Sequence, residues 1–244
     1  MKPVRIFRHE DWIEPGRVTE YFDARNVAWE LVCIDRGDAV PQRLDDVSGL
    51  VFLGGTMSVN DGHAWLDDEI ALIRLAAAQD FPMLGHCMGS QLIAKALGGS
   101  VAAMPFKEIG WFEAAKSGNA AARDWIPETP DRFEILVWHH DAFTLPPGAA
   151  LLYSTEHCPD QAYALGNTVA TVAHAEATAA MLEEWLRIYG SDIAPTSVSV
   201  QPIEQIRDRL AERCAAMHSS FTDRLYDAWL ARVCAYAERP TELA

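Results

Sequence analysis

The pentapeptide Gly85-His86-Cys87-Met88-Gly89 restricts the fold of this chain more than any other feature. The apolar stretch Phe81-Pro82-Met83-Leu84 precedes it, and the helical pattern Gln91-Leu92-Ile93-Ala94-Lys95-Ala96-Leu97 follows. A strand, a nucleophilic side chain flanked two residues away on each side by glycine, and a helix together describe a nucleophile elbow. The central residue of such a turn is strained, and glycines leave the room that strand and helix need to approach each other. The thiol then sits at a helix N-terminus, where the macrodipole and unpaired N–H groups favour thiolate. The alternative is a buried cysteine acting as a small apolar side chain.

The rest of the chain fits an α/β setting for that turn. Its 244 residues, half of them hydrophobic, suffice for one large domain with a substantial core. Apolar runs at 4–7, 29–34, 49–53 and 81–85 alternate with helical patterns, as in βαβ units around a mostly parallel open sheet with flanking helices. A helix is expected from about Ala64, with Leu66, Ile70, Ile73 and Ala77 on one face and Asp67, Asp68 and Arg74 outward. After the elbow helix, Gly98-Gly99 stops the chain. Short strand-like pieces at 109–114, 133–138, 151–154, 161–165 and 168–173 suggest an antiparallel excursion that returns to the main sheet.

From Ile203 onward, Ile206, Leu210, Cys214, Met217, Phe221, Leu225, Trp229 and Val233 recur at steps of three or four. This is one long amphipathic helix, or a pair broken near His218-Ser219-Ser220. It packs on the domain or, alternatively, offers a docking face to a partner chain. The expected division is a domain over 1–190 and a C-terminal helical extension over 191–244.

Charge and cysteine usage narrow the function classes. A formal charge of −15 argues against nucleic acid as partner. No run approaches the ~18 apolar residues of a membrane span. The N-terminus lacks the apolar core of a signal peptide, so the chain reads as cytoplasmic. The five cysteines are scattered, odd in number and without metal-ligand spacing, which fits a reducing compartment and leaves no metal expected. No cofactor is expected either: the glycines Gly54-Gly55 are not followed by the Lys-Ser/Thr of a phosphate loop.

A nucleophilic cysteine needs a base and a group that orients the base. His174 closes the apolar run 168–173, and Glu176 stands two residues on. Two residues apart on an extended strand, both side chains leave the same face, so Glu176 can hold the imidazole tautomer and stabilise an imidazolium. Gly54-Gly55 closes the third strand candidate and belongs at the same sheet edge, where open α/β sheets bind ligands. The backbone N–H groups of Gly55 and Met88 are the natural oxyanion donors.

In order along the chain, these segments make it resemble the class I, triad-type glutamine amidotransferase domain, in the branch near the glutaminase domain of GMP synthase. The resemblance spans roughly 4–185. It rests on Leu53-Gly54-Gly55-Thr56-Met57-Ser58-Val59-Asn60-Asp61, on the elbow with Ser90-Gln91, on Glu108-Ile109-Gly110-Trp111, on Trp138-His139-His140-Asp141 with Leu145-Pro146, on Cys158-Pro159-Asp160-Gln161-Ala162-Tyr163, and on His174-Ala175-Glu176. It implies a flavodoxin-like sheet in which Cys87 attacks the glutamine side-chain amide, with His174 as base and then acid, oriented by Glu176. Gly54, Gln91, His139, His140 and Asp141 are the implied substrate-binding residues. Glutamine or another γ-glutamyl small molecule is the implied ligand, and a separate synthetase or acceptor chain the implied partner.

Three departures from the family pattern matter. Val172-Ala173-His174-Ala175-Glu176 stands where Gln-Phe-His-Pro-Glu is usual, which keeps the pair and loses the proline's stiffness. His140 replaces a glycine of the pocket loop. No acceptor domain follows in the sequence. The last two points raise a γ-glutamyl peptidase with the same thioester chemistry as the second enzymatic reading. A binding protein that keeps the fold without turnover is the third. An α/β-hydrolase-type lactone hydrolase is disfavoured, because its acid precedes its histidine.

Overall fold

A computed structural model describes residues 1–239, so the last five positions of the 191–244 extension lie outside the described residues. The strands are β1 (Val4–Arg8), β2 (Trp29–Cys33), β3 (Gly49–Phe52), β4 (Met83–His86), β5 (Val101–Lys116), β6 (Arg132–Phe143), β7 (Ala150–Ser154), β8 (Ala162–Leu165) and β9 (Thr168–Thr171). The helices are α1 (Arg17–Asp23), α2 (Ala64–Ala78), α3 (Met88–Ala96), α4 (Ala120–Trp125), α5 (Ala179–Ile188), α6 (Ile203–Arg207), α7 (Leu210–Met217) and α8 (Asp223–Ala237). The strands form one sheet in the order β2-β1-β3-β4-β9-β8-β7-β5-β6. Pairing is parallel from β2 through β9 and antiparallel beyond. The excursion is thus the antiparallel half of the sheet, and β9 brings the chain back beside β4.

Successive side chains on a strand leave opposite faces, and here both faces are covered. Val4, Ile6, Val51, Leu53, Leu84 and Val169 face one core with α1, α5 and the C-terminal helices. Phe7, Leu50, Phe52, Met83 and Ala170 face a second core with α2 and α3. Parallel strands buried on both faces explain the near-continuous apolar runs of the sequence.

Three elements depart from the sequence reading. β5 begins at Val101, eight residues before the expected start, with its register against β6 shifting between Ala103 and Glu108. Pro105 lies inside that irregular stretch, where the ladder spares it an N–H it lacks. α2 buries Glu69 and Leu72 together with Leu66 and Ile73, while Ile70 and Ala77 are only half-buried. The face is turned because Glu69 is drawn inward by His9, whose Nε2 lies 3.0 and 3.1 Å from its two carboxylate oxygens. Finally, the C-terminal stripe, expected as one long helix or as a pair broken near His218-Ser219-Ser220, is broken instead at Asp208-Arg209, where Arg209 has φ 50°. A π-helical turn over His218–Thr222 joins α7 to α8 without ending the helix. Ser219 and Ser220 both donate their hydroxyls to the Ala216 carbonyl, the back-bonding that bends helices.

All eight residues of the C-terminal apolar stripe are buried in the same core as β1, β3 and β4. Trp229 is fully buried, stacks on Phe22 at 6.1 Å and presses on the Cα of Gly49, where a Cβ would lie 3.0 Å from the indole. Among the described residues no helix is long and apolar enough to cross a membrane. Trp229→Ala should lower the free energy of urea unfolding by about 3–5 kcal/mol, the usual cost of emptying so large a buried site. A loss below about 1 kcal/mol would mean that α8 contributes little to the core.

Candidate active site

Cys87 ends β4 and caps α3 with φ 46° and ψ −116°, a conformation that costs a non-glycine residue about 1–3 kcal/mol. Its amide donates to Thr171 O at 2.9 Å, and its carbonyl accepts from the amides of Ser90 and Gln91. The flanking glycines are sterically required. A Cβ on Gly85 would lie 2.9 Å from Ser90 Cα, and one on Gly89 only 2.2 Å from Phe52 O. The elbow inferred from spacing is present, and close approach of helix and strand is the reason for both glycines.

The base and its acid arrive from the turn that follows β9, not from the extended strand expected of them. Beyond β9, His174 Nδ1 lies 2.7 Å from Glu176 Oε1, and both side chains are buried. Cys87, whose Sγ donates to Trp138 O at 3.8 Å, lines the same cavity as His174. Gly54 lies beneath this pair: a Cβ there would be 3.1 Å from His174 Cε1 and 3.4 Å from Cys87 Cβ. Its place is steric, and it is Gly55 that borders the cavity. Burial alone would lower the His174 pKa, but the negative charges of Cys87 and Glu176 and hydrogen bonds from both raise it well above its ordinary value. Burial likewise pushes Glu176 up, yet His174 and His86 hold it below the usual carboxylate value. A thiol, a buried imidazole poised to be charged and an ionised carboxylate in series can carry out acyl transfer.

Cys87 opens into a cavity of ≈ 360 Å³, within the ~300–1,000 Å³ range of small-molecule sites. Gly55 and Met88 border it together. As the first residue of α3, Met88 has an amide without an intrahelical acceptor. Gln91, one turn along α3, donates from Nε2 to Asp141 O at 2.9 Å. Asp141 in turn accepts from Ser58 Oγ at 2.6 Å. His140 is exposed at the rim, and Lys107 and Asp192 form an ion pair of 3.4 Å beside it in the lining. The remaining loop histidine, His139, is committed on both nitrogens, to Asp141 O at 3.0 Å and to Glu108 Oε2 at 2.8 Å.

Glu108 has a role that sequence reasoning missed. This fully buried carboxylate accepts from His139, from Thr155 Oγ1 at 2.6 Å and from Gln161 Nε2 at 2.6 Å. It thereby ties three of the sequence motifs into one network; an acid amid buried strand residues was the available signal. Glu108, His139 and Cys158 offer ligand atoms within 4.8 Å of one another. They fit a metal ion poorly. The carboxylate is already saturated with donors, and burial pushes the Cys158 thiol up to about 12, away from the thiolate a metal takes. The pair His9 and Glu69, beneath the Gly55 loop, was also not read from the sequence; a Cβ on Gly55 would lie 3.3 Å from His9 Cβ.

Residues 17–176 match the family described as glutamine amidotransferase class-I. The glutamine amidotransferase-like protein YfeJ of Salmonella typhimurium is 30% identical over 173 residues, covering 68% of this chain and 72% of that one. GMP synthase [glutamine-hydrolyzing] of Aeropyrum pernix is 29% identical over 195 residues, 76% of this chain but 36% of the longer protein. The crystal structure of a glutamine amido transferase from Methylobacillus flagellatus superposes with a TM-score of 0.91 at 34% identity, covering 95% of each chain.

The buried pair sets a pH window for stability. Glu176, lowered from 4.5, contributes stability that is present above that value and lost as pH falls through its folded-state pKa. His174, raised from 6.5, contributes stability that is full below 6.5 and lost as pH rises through its folded-state pKa. The unfolding free-energy difference between wild type and Glu176→Gln should therefore be largest between 4.5 and 6.5 and shrink in stronger acid. Urea titrations across pH measure it, and a difference independent of pH would separate Glu176 from the charge on His174.

Proposed function

The chain belongs to the class-I glutamine amidotransferase family, and from that premise we propose that it hydrolyses the side-chain amide of glutamine through a Cys87 thioester. The observation that carries this reading is that Cys87 and His174 line one cavity bordered by Gly55 and Met88, with Glu176 buried behind His174 and 2.7 Å from its Nδ1. In the first step the Cys87 thiol passes its proton to His174 as its sulfur attacks the amide carbon, and the oxygen takes up negative charge facing the Gly55 and Met88 amides. His174 then delivers its proton to the amide nitrogen, the C–N bond breaks, and ammonia leaves a γ-glutamyl thioester. Water, deprotonated by His174, cleaves the thioester to glutamate and restores the thiol. Glu176 keeps the imidazole in the required tautomer throughout.

The ammonia is proposed to serve an acceptor or synthetase on a separate chain. The support is that relatives named GMP synthase carry the matching segment within a longer protein, of which this chain spans 36% in the Aeropyrum pernix case. A cytoplasmic setting belongs to the same proposal, since five free cysteines suit a reducing compartment. His140 favours a second reading. Its exposed imidazole at the cavity rim, where the resemblance expects glycine, suits a larger leaving group than ammonia, as in a γ-glutamyl peptide.

The test is to incubate the purified protein with glutamine and, separately, with a γ-glutamyl dipeptide, and to measure glutamate beside a Cys87→Ala control. Glutamate from glutamine, falling to background in the variant, is the expected result. Faster cleavage of the dipeptide would transfer the assignment to the peptidase. Release from neither substrate would overturn both.

A further inference from the structure

The C-terminal helical segment lies beyond the 17–176 family match, yet two of its side chains hold the loop that carries His174 and Glu176, and a third reaches the elbow. His218 Nε2 lies 2.9 Å from Ala177 O. Thr222 Oγ1 donates to Ala175 O at 3.2 Å. Tyr226 places its hydroxyl 3.1 Å from Nε2 of His86, the elbow residue preceding Cys87. His86 and Glu176 are both fully buried, and His86 Nδ1 stands 3.6 Å from Glu176 Oε2. These two atoms, facing each other, are buried without a hydrogen-bond partner.

The Tyr226 contact decides which nitrogen of His86 holds the proton. A buried phenol must donate its O–H somewhere, and among the described residues His86 Nε2 is the acceptor given to it. An imidazole that accepts at Nε2 carries its proton at Nδ1, the atom aimed at Glu176. The opposite tautomer would orphan the phenol O–H and turn a lone pair toward a buried carboxylate. At 3.6 Å the contact is longer than a hydrogen bond, so it acts electrostatically on the carboxylate oxygen that His174 does not use.

We propose that Tyr226 is a positioning residue: by fixing the Nδ1–H tautomer of His86, it holds Glu176 toward His174, while Thr222 and His218 hold the backbone of the same loop. The helical extension then acts on the site only through the groups it positions. The groups facing His86 agree with a neutral ring. Burial lowers it, Glu176 and the Ala173 backbone pull it up, and His174 pushes it down, with a lowered pKa as the net result. Burial raises Tyr226 well above its ordinary value, reinforced by Glu176 and Asp223 and opposed by Arg17, so it remains a donor.

The proposal rests on the thioester reading, and its test separates the two. Tyr226→Phe keeps the ring and removes the O–H; Thr222→Val removes the loop bond, and Thr222→Ser restores it. Tyr226→Phe and Thr222→Val should each lower kcat on glutamine by about tenfold with KM little changed, the cost of a slightly misplaced catalytic group. Thr222→Ser should retain wild-type kcat. Alkylation of Cys87 by iodoacetamide, followed against pH, should slow in Tyr226→Phe near neutrality relative to its rate in alkali, because a loosely held Glu176 supports the His174 imidazolium less. An unchanged alkylation profile in Tyr226→Phe, whatever its melting temperature, would overturn the proposal, as would Thr222→Ser being as slow as Thr222→Val. A wild-type protein that releases no glutamate from glutamine would overturn the hydrolase reading, and the alkylation profile alone would then decide the role of Tyr226.

Discussion

The close approach of the first turn of α3 to the end of β3 is the constraint on which the rest of the site depends. Gly89 lies against the Phe52 carbonyl with no room for a methyl group, and its amide donates to Leu53 O at 3.1 Å. That contact brings Met88 beside Gly55 and leaves Cys87 the positive φ through which strand passes into helix. The strain is about 1–3 kcal/mol. Met88, Leu92 and Ile93 are buried on the same helix, each contributing roughly 1.5–3 kcal/mol. Burial of α3 therefore outweighs the strain, and the turn cannot relax without lifting the helix off the sheet.

Around this elbow stand three buried glutamates, each answered by a histidine. Glu176 pairs with His174, Glu108 with His139, and Glu69 with His9. An isolated buried carboxylate costs several kcal/mol, so each must be paired and hydrogen-bonded in place. The three solutions differ. Glu108 is saturated by three donors and is rigidly structural. Glu69 offers both oxygens to one imidazole beneath the Gly55 loop. Glu176 alone keeps one oxygen without a hydrogen bond, and that oxygen is the one His86 faces. The least satisfied of the three carboxylates is the one beside the reactive thiol, where a response to the charge on His174 has a use.

What could be read from the sequence was what lies within a few residues along the chain. The elbow glycines flank Cys87, so spacing carried the steric argument; Glu176 follows His174 by two, but the pair meets in a turn beyond β9 and not along the extended strand expected of it. The apolar stripe from Ile206 to Val233 was legible for the same reason. Contacts between distant segments were not. The burial of Glu69 on α2 was not foreseen because its partner, His9, lies 60 residues away. Glu108 and Gln161 are 53 residues apart, and Tyr226 and His86 are 140 apart. Each of those polar residues looks like surface until the fold brings its partner beside it, through the sheet order for Glu108 and Gln161 and through helix packing for Glu69 and Tyr226.

The π-turn at His218–Thr222 shows how one helix meets two demands. Buried positions 217, 221, 225, 229 and 233 repeat strictly every four residues, whereas an α-helix at 3.6 residues per turn drifts by about 40° over each such step. The wider turn, with its i→i+5 bonds, absorbs part of that drift and keeps the apolar seam on the core. His218, Thr222 and Tyr226 each follow a seam residue by one position, so they form the adjoining stripe. Docking of the seam thereby sets the register of the polar stripe against the loop Ala173-His174-Ala175-Glu176-Ala177. A serine pair that in sequence allowed either a helix break or one continuous helix thus preserves the continuity of both faces, because its hydroxyls satisfy the Ala216 carbonyl at the site of the wider turn.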